Sequence, residues 1–183
     1  MKLKLFALFF CLSFTVVAMA KEIELPDSCG DPKTKFDVTT HKSTTALPAP
    51  DANKALIVLI EPDLRGCLGC ADQRFGMDGQ WVGATKKDSY FTLQVDPGPH
   101  HFCATGPTLY TVAIRSFEAI AGQTYFLQAR MLSGAHALRT EEEFDSQFNP
   151  QGKHVMGFGM SLLDEEKGRY LIKSYEVADF KKK

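Results

Sequence analysis

Five cysteines, at 11, 29, 67, 70 and 103, are the first residues that could do chemistry. Cys67-Leu68-Gly69-Cys70 has the spacing of a thiol–disulfide redox pair, whose nucleophile needs a lowered pKa, usually from a helix N-terminus. The apolar run at 55–60 leads into it, and residues 71–75 offer the start of a helix. Gly76 and Asp78-Gly79 would end that helix within two turns, and the βαβ alternation of redox folds is missing. The same spacing suits zinc, with His100-His101 two residues before Cys103. In a strand, however, His100 and His101 point to opposite faces, and no second paired motif accompanies them. His41, His136 and His154 read as surface or edge polar residues, and no metal ligand or cofactor site is assigned. Ser, His, Asp and Glu are all present without a Gly-x-Ser-x-Gly elbow, so no catalytic residue is assigned either. Acidic runs at 141–143 and 164–166 read as solvated helix starts.

The compartment decides what the cysteines do. Lys2 and Lys4 precede a 13-residue apolar run at 5–17. Ala18-Met19-Ala20 is an A-x-A cleavage signal, placing the cut between Ala20 and Lys21. The run is too short and too interrupted for a spanning helix, which needs about 20 apolar residues. Residues 8–10, before Cys11, lack the small side chains of a lipidation site. The mature chain is expected to be periplasmic or secreted, where disulfides persist. Its four remaining cysteines then make two bridges with three connectivities. The favoured pairing is Cys67–Cys70 with Cys29–Cys103, the latter closing a loop of about 75 residues and contributing roughly 2–4 kcal/mol. Crossed pairings from Cys29 or Cys103 into the 67–70 loop are the alternative.

Without residues 1–20, which hold two of the 21 basic and none of the 22 acidic side chains, the formal charge is −3. A near-neutral chain gives no electrostatic footprint for nucleic acid or anionic lipid. No later segment could span a bilayer. With 183 residues the chain is long enough for one domain with its own core.

The elements that must position these residues are strands. Residues 21–54 read as an irregular leader, rich in Thr, Ser, Ala and Pro over 39–51. Residues 55–60 are a buried strand ended by Pro62. Residues 74–77 and 80–83 form a hairpin about Asp78-Gly79. In 90–95, Phe91, Leu93 and Val95 share one face and should pack with Ile57 and Leu59. Strands follow at 100–105, 110–120 and 123–132. Trp81, Tyr90, Phe91, Tyr110, Phe117, Tyr125 and Phe126 are expected mainly in the core. Beyond 133 a C-terminal extension should pack on that core. A capping box at 140–143 predicts a short helix before Asn149-Pro150. A second helix should start at 164–166, with Leu171, Ile172 and Tyr175 as its apolar side, although Gly168 interrupts it. Lys181, Lys182 and Lys183 read as a frayed tail. The expected fold is mainly β, an antiparallel sandwich of about seven strands over 55–132, with one or two short C-terminal helices.

The order of 55–58, the Met77-Asp78-Gly79-Gln80-Trp81-Val82-Gly83 hairpin, Ser89-Tyr90-Phe91, Val95-Asp96-Pro97-Gly98-Pro99-His100 and Ala121-Gly122-Gln123-Thr124-Tyr125-Phe126 resembles a known group. It is similar to the exported bacterial proteins called domain of unknown function 2846, over 55–132, with further similarity at Cys29-Gly30 and 166–171. The resemblance implies a β-sandwich like those of PEGA and carboxypeptidase-regulatory domains, in an exported protein. It carries no catalytic residue with it, and the Cys-x-x-Cys loop is an addition to the group's pattern. The expected function is therefore a non-catalytic binding or structural module of the cell envelope, with an envelope protein or glycan as partner. The alternative is a thiol–disulfide or metal-dependent enzyme using Cys67 and Cys70.

Overall fold

The apolar run at 55–60 becomes the central strand of the structure. This computed structural model describes residues 25–43, 46–62, 72–106, 112–133, 147–148 and 156–183. In chain order the elements are β1 (Phe36–Lys42), β2 (Ala55–Glu61), β3 (Gln73–Met77), β4 (Gln80–Thr85), β5 (Ser89–Val95), β6 (Gly98–Thr105), β7 (Val112–Ala119), β8 (Thr124–Ser133), β9 (Gln147–Phe148), β10 (Met156–Leu163), α1 (Glu165–Ile172) and β11 (Glu176–Lys182). Sheet A has six strands in the order β1-β11-β5-β2-β8-β10, and sheet B has five in the order β4-β3-β6-β7-β9. The two sheets form a β-sandwich.

β2 is buried along its whole length because both of its faces are covered. Ile57 and Leu59 face sheet B and join Phe75, Phe91, Phe102 and Leu127 in the main core. Leu56, Val58 and Ile60 face outward and pack with Tyr90 and Phe126 in a second cluster. The face assigned to β5 holds. Ala55, Ile57 and Leu59 pair with Val95, Leu93 and Phe91, and all belong to the main core, Leu93 as a half-buried member. Phe91 also meets Phe75 and Phe180 edge-on, at centroid distances of 5.8 and 4.9 Å. The β3–β4 hairpin turns through Asp78 (φ 50°) and Gly79 (φ 85°). Two successive positive φ values match the right-handed twist of the flanking strands.

Four details differ from the sequence reading. Residues 36–42, read as irregular leader, form β1, which pairs with β11 along its whole length. Lys181 and Lys182, read as tail, pair there with Asp37 and Phe36. Polar side chains suit this edge because it faces solvent, and only Val38 of β1 is buried. Sheet A is mixed rather than antiparallel, since β2 pairs parallel with β8 and β11 parallel with β5. Finally, Gln147 and Phe148, placed in a helix by the capping box, pair with β7 as β9. The rest of that helix falls outside the described residues.

The second helix does form. The Asp164 side chain caps α1 by accepting from the Lys167 amide at 2.8 Å, with Glu165 and Glu166 in the first turn. Gly168, the apparent interruption, is the buried contact point: a Cβ there would overlap the Phe126 ring. α1 sits on the outer face of sheet A through this residue. Among the described residues no helix is long and apolar enough to cross a membrane.

Candidate functional site

Of the four cysteines expected in the mature chain, Cys29 and Cys103 lie among the described residues, and they are bonded to each other. Cys67 and Cys70 fall outside the described residues, as do Cys11, Ala20, Lys21, Tyr110, His136, His154 and the acidic run at 141–143. Cys103 points away from the main core, because alternation along β6 sends Phe102 and Ala104 inward. The bridge therefore holds residues 25–34 against the outer face of sheet B. Trp81 Nε1 donates to the Asp31 carbonyl at 2.7 Å, and Arg74 Nη1 donates to the Thr34 carbonyl at 2.8 Å. The Arg74 guanidinium lies 5.0 Å from the Trp81 ring centroid. The part of this face around Trp81, Cys103 and Val112 is covered.

The two adjacent histidines separate, as strand geometry requires. His100 Nδ1 lies 2.6 Å from Asp78 Oδ2, and its Nε2 lies 2.8 Å from the Asp96 carbonyl. Burial alone would lower its pKa, but hydrogen bonds and charges from Asp78 and Asp96 raise it above the usual value. Asp78 shows the reverse. Partial burial pushes it up, while His100 and the His101 amide pull it below the usual carboxylate range. His101 instead places Nδ1 2.7 Å from Ser116 Oγ. These are two separate pairs, not a serine–histidine–acid relay, because Asp78 meets only the backbone of His101. Among the described residues, no three His, Cys, Asp or Glu side chains gather as metal ligands.

At the opposite end of the sandwich is a buried carboxyl that was not singled out from sequence. The inward row of β2 is Ala55, Ile57, Leu59 and Glu61. Glu61 is 1% exposed and accepts from Thr85 Oγ1 at 2.6 Å, while the Gln73 amide also donates to it. Burial pushes its pKa up to about 8, with Asp72 and Asp88 adding to the effect. It is thus mostly protonated at pH 7. Gln73, Thr85 and Ser89 are buried beside it, and among the described residues neither polar atom of the Gln73 side chain has a partner. Ending the strand at Ile60, before Pro62, hid this group. Period two carried one residue further would have found it.

A concave feature lies on the outer face of sheet A. A cleft of about 620 Å³ opens between α1, the end of β1 and the segment at 46–47. Leu47, Tyr90, Ile172 and Tyr175 supply its apolar surface, and all pack against the outer cluster. Lys42, Arg169 and Lys173 supply positive charge, against one carboxylate, Glu176. The volume falls within the range of small-molecule sites, about 300–1,000 Å³. The sequence had marked Ile172 and Tyr175 as the apolar side of α1. It gave no sign that β1 would stand beside them, since 36–42 was read as irregular.

No family model, curated protein or solved structure matches this chain.

Proposed function

We propose that this chain is an exported, non-catalytic β-sandwich module of the bacterial cell envelope that binds a ligand in the cleft beside α1. The observation that carries the reading is the cleft itself. Its floor is the apolar outer face of a tightly packed sheet, and charged side chains converge at its rim. Such a mix of apolar floor and few polar groups is the usual composition of a binding pocket. The Cys29–Cys103 bridge is compatible with an oxidising compartment, and the A-x-A leader and the family resemblance support export. The test is native mass spectrometry of the chain recovered from an exporting host, beside a Ser174→Trp variant that obstructs the cleft. A bound small molecule that disappears in the variant is the expected result. A ligand retained unchanged by the variant would place binding elsewhere and overturn the reading.

A second reading is kept because of Glu61. A buried carboxyl with a strongly raised pKa is characteristic of functional sites, and Glu61 precedes the Cys67-x-x-Cys70 loop in the chain. This is the thiol–disulfide alternative. Titration of free thiols in the native mature protein separates the two. A fast-reacting Cys67 that turns over a model disulfide, and slows in Glu61→Gln, would favour the enzyme.

A further inference from the structure

The charges around the cleft point to what it holds. The whole chain has a formal charge of −1, yet the cleft lining carries three cations and one carboxylate. Glu176 Oε2 accepts from Thr40 Oγ1 at 2.5 Å and keeps its charge opposite Lys42, its register partner, so the lining remains positive by two charges. Arg169 is committed, with Nε 2.7 Å from Glu165 and its guanidinium 5.9 Å from the Phe126 ring centroid. Lys42 and Lys173 are different. Both are exposed, and among the described residues neither makes an ion pair with a carboxylate. They approach the cleft from separate elements, the end of β1 and the C-terminus of α1. Leu47, Ile172 and Tyr175, each half-buried, supply the apolar lining. An apolar floor with unengaged ammonium groups at the rim suits a ligand with an apolar body and an acidic end.

We propose that the cleft binds a single-tailed organic acid, with its hydrocarbon chain on Leu47, Ile172 and Tyr175 and its carboxylate between Lys42 and Lys173. A free phosphate would leave the apolar floor uncovered. A neutral glycan would leave the cations without partners. The inference rests on the binding-module reading and names the ligand class of that site.

The test uses the full mature chain and isothermal titration with dodecanoate, decanoate and octanoate below their aggregation concentrations. Dodecanol and dodecyltrimethylammonium serve as neutral and cationic counterparts. Dodecanoate should bind with affinity falling about two- to fourfold for each methylene removed. The Lys42→Gln, Lys173→Gln double variant should lose at least tenfold in dodecanoate affinity while keeping its melting temperature and its weak dodecanol binding. Lys173→Glu alone should weaken dodecanoate and strengthen the cationic amphiphile. Equal binding of dodecanol and dodecanoate, or an unchanged affinity in the double variant, overturns the acid assignment but leaves a binding cleft. Failure of all three tails to bind overturns the proposal, while the mass-spectrometric test of the cleft stands independently.

Discussion

Residues 25–34 cover the part of sheet B's outer face around Trp81 and Cys103, while α1 and residues 46–50 lie over part of that of sheet A. Both covers seat a glycine on an aromatic ring. A Cβ at Gly30 would lie 2.5 Å from Trp81 Cδ1, and one at Gly168 would overlap Phe126. They differ in what holds them. The sheet B cover is cross-linked to β6 by Cys29–Cys103, with Cα atoms 5.3 Å apart, and pinned by Arg74 and Trp81. The sheet A cover is held without a cross-link, by packing, by the Asp164 cap and by Gln94 Nε2 donating to the Ala49 carbonyl at 3.1 Å, and a cleft remains beside it. A cover fixed covalently gives up access to the face beneath it. One held without a cross-link can leave room for a ligand.

That comparison assumes one rigid sandwich between the covers, and Glu61 tests the assumption with the largest expected effect. Its carboxyl on β2 of sheet A accepts from Thr85 on β4 of sheet B. Its folded pKa, about 8, lies above the ordinary value of 4.5. The native state therefore holds a proton that the unfolded chain releases. The resulting stability is full below about pH 4.5 and is lost as pH rises through about 8. Within that window the slope is about 1.4 kcal/mol per pH unit. Urea unfolding from pH 5 to pH 9 should show it, and Glu61→Gln should flatten it. Both covers should lose amide protection together as the sandwich weakens. If one cover opens alone at high pH, the two do not share a rigid base.

The next effect concerns the covalent cover. The Cys29→Ser, Cys103→Ser double variant should lose roughly 2–4 kcal/mol in denaturant unfolding. Amides at 25–34 should exchange faster while those of α1 keep their protection. A loss below about 1 kcal/mol would mean that the Arg74 and Trp81 bonds hold the cover by themselves, within the usual net worth of such bonds. The contrast between covers would then lose its physical basis.

The two glycine seats come third. Gly30→Ala should cost about 1–3 kcal/mol of global stability, because the disulfide prevents the cover from lifting to relieve the clash. Gly168→Ala should instead displace α1 and widen the cleft, with most of the sandwich unaffected. Helix propensity favours Ala over Gly by about 1 kcal/mol, so part of the cost is offset. Hydrogen exchange distinguishes a local from a global loss. A stabilised Gly168→Ala variant would show that α1 is seated loosely on Phe126.

How much of this was legible in the sequence follows from the kind of interaction involved. β2, the face of β5, the Asp78-Gly79 turn and the Asp164 cap are set by neighbours a few residues away, and local pattern reads such features. The favoured Cys29–Cys103 bridge followed from counting cysteines and from the flexible step between Cys67 and Cys70. β1 and β11 were not legible. Their residues are largely polar, and they exist as strands because 36–42 and 176–182 meet across the chain's length. The cleft depends on that meeting, so it was hidden for the same reason. Gly168 was misread because its value lies in the ring beneath it, which helix propensity does not register.

The smallest effect isolates the packed cover. Asp164 accepts from the Lys167 amide and so satisfies one of the four donors left unpaired at the start of α1. Asp164→Ala should cost about 1 kcal/mol, and Asp164→Asn much less, since Asn keeps the accepting oxygen. An eight-residue helix is too short to persist without its packing partners. The loss should therefore appear as faster amide exchange in α1 and weaker dodecanoate binding, since Arg169 and Ile172 belong to it and Lys173 caps its end. Protection at 25–34 and across β2 should stay at the wild-type level. Recovery of both readouts in Asp164→Asn would tie the cleft's shape to the cap rather than to the charge. If the sheet B cover loosens equally, α1 is as integral to the fold as the disulfide-bound segment, and the two covers differ in chemistry but not in freedom.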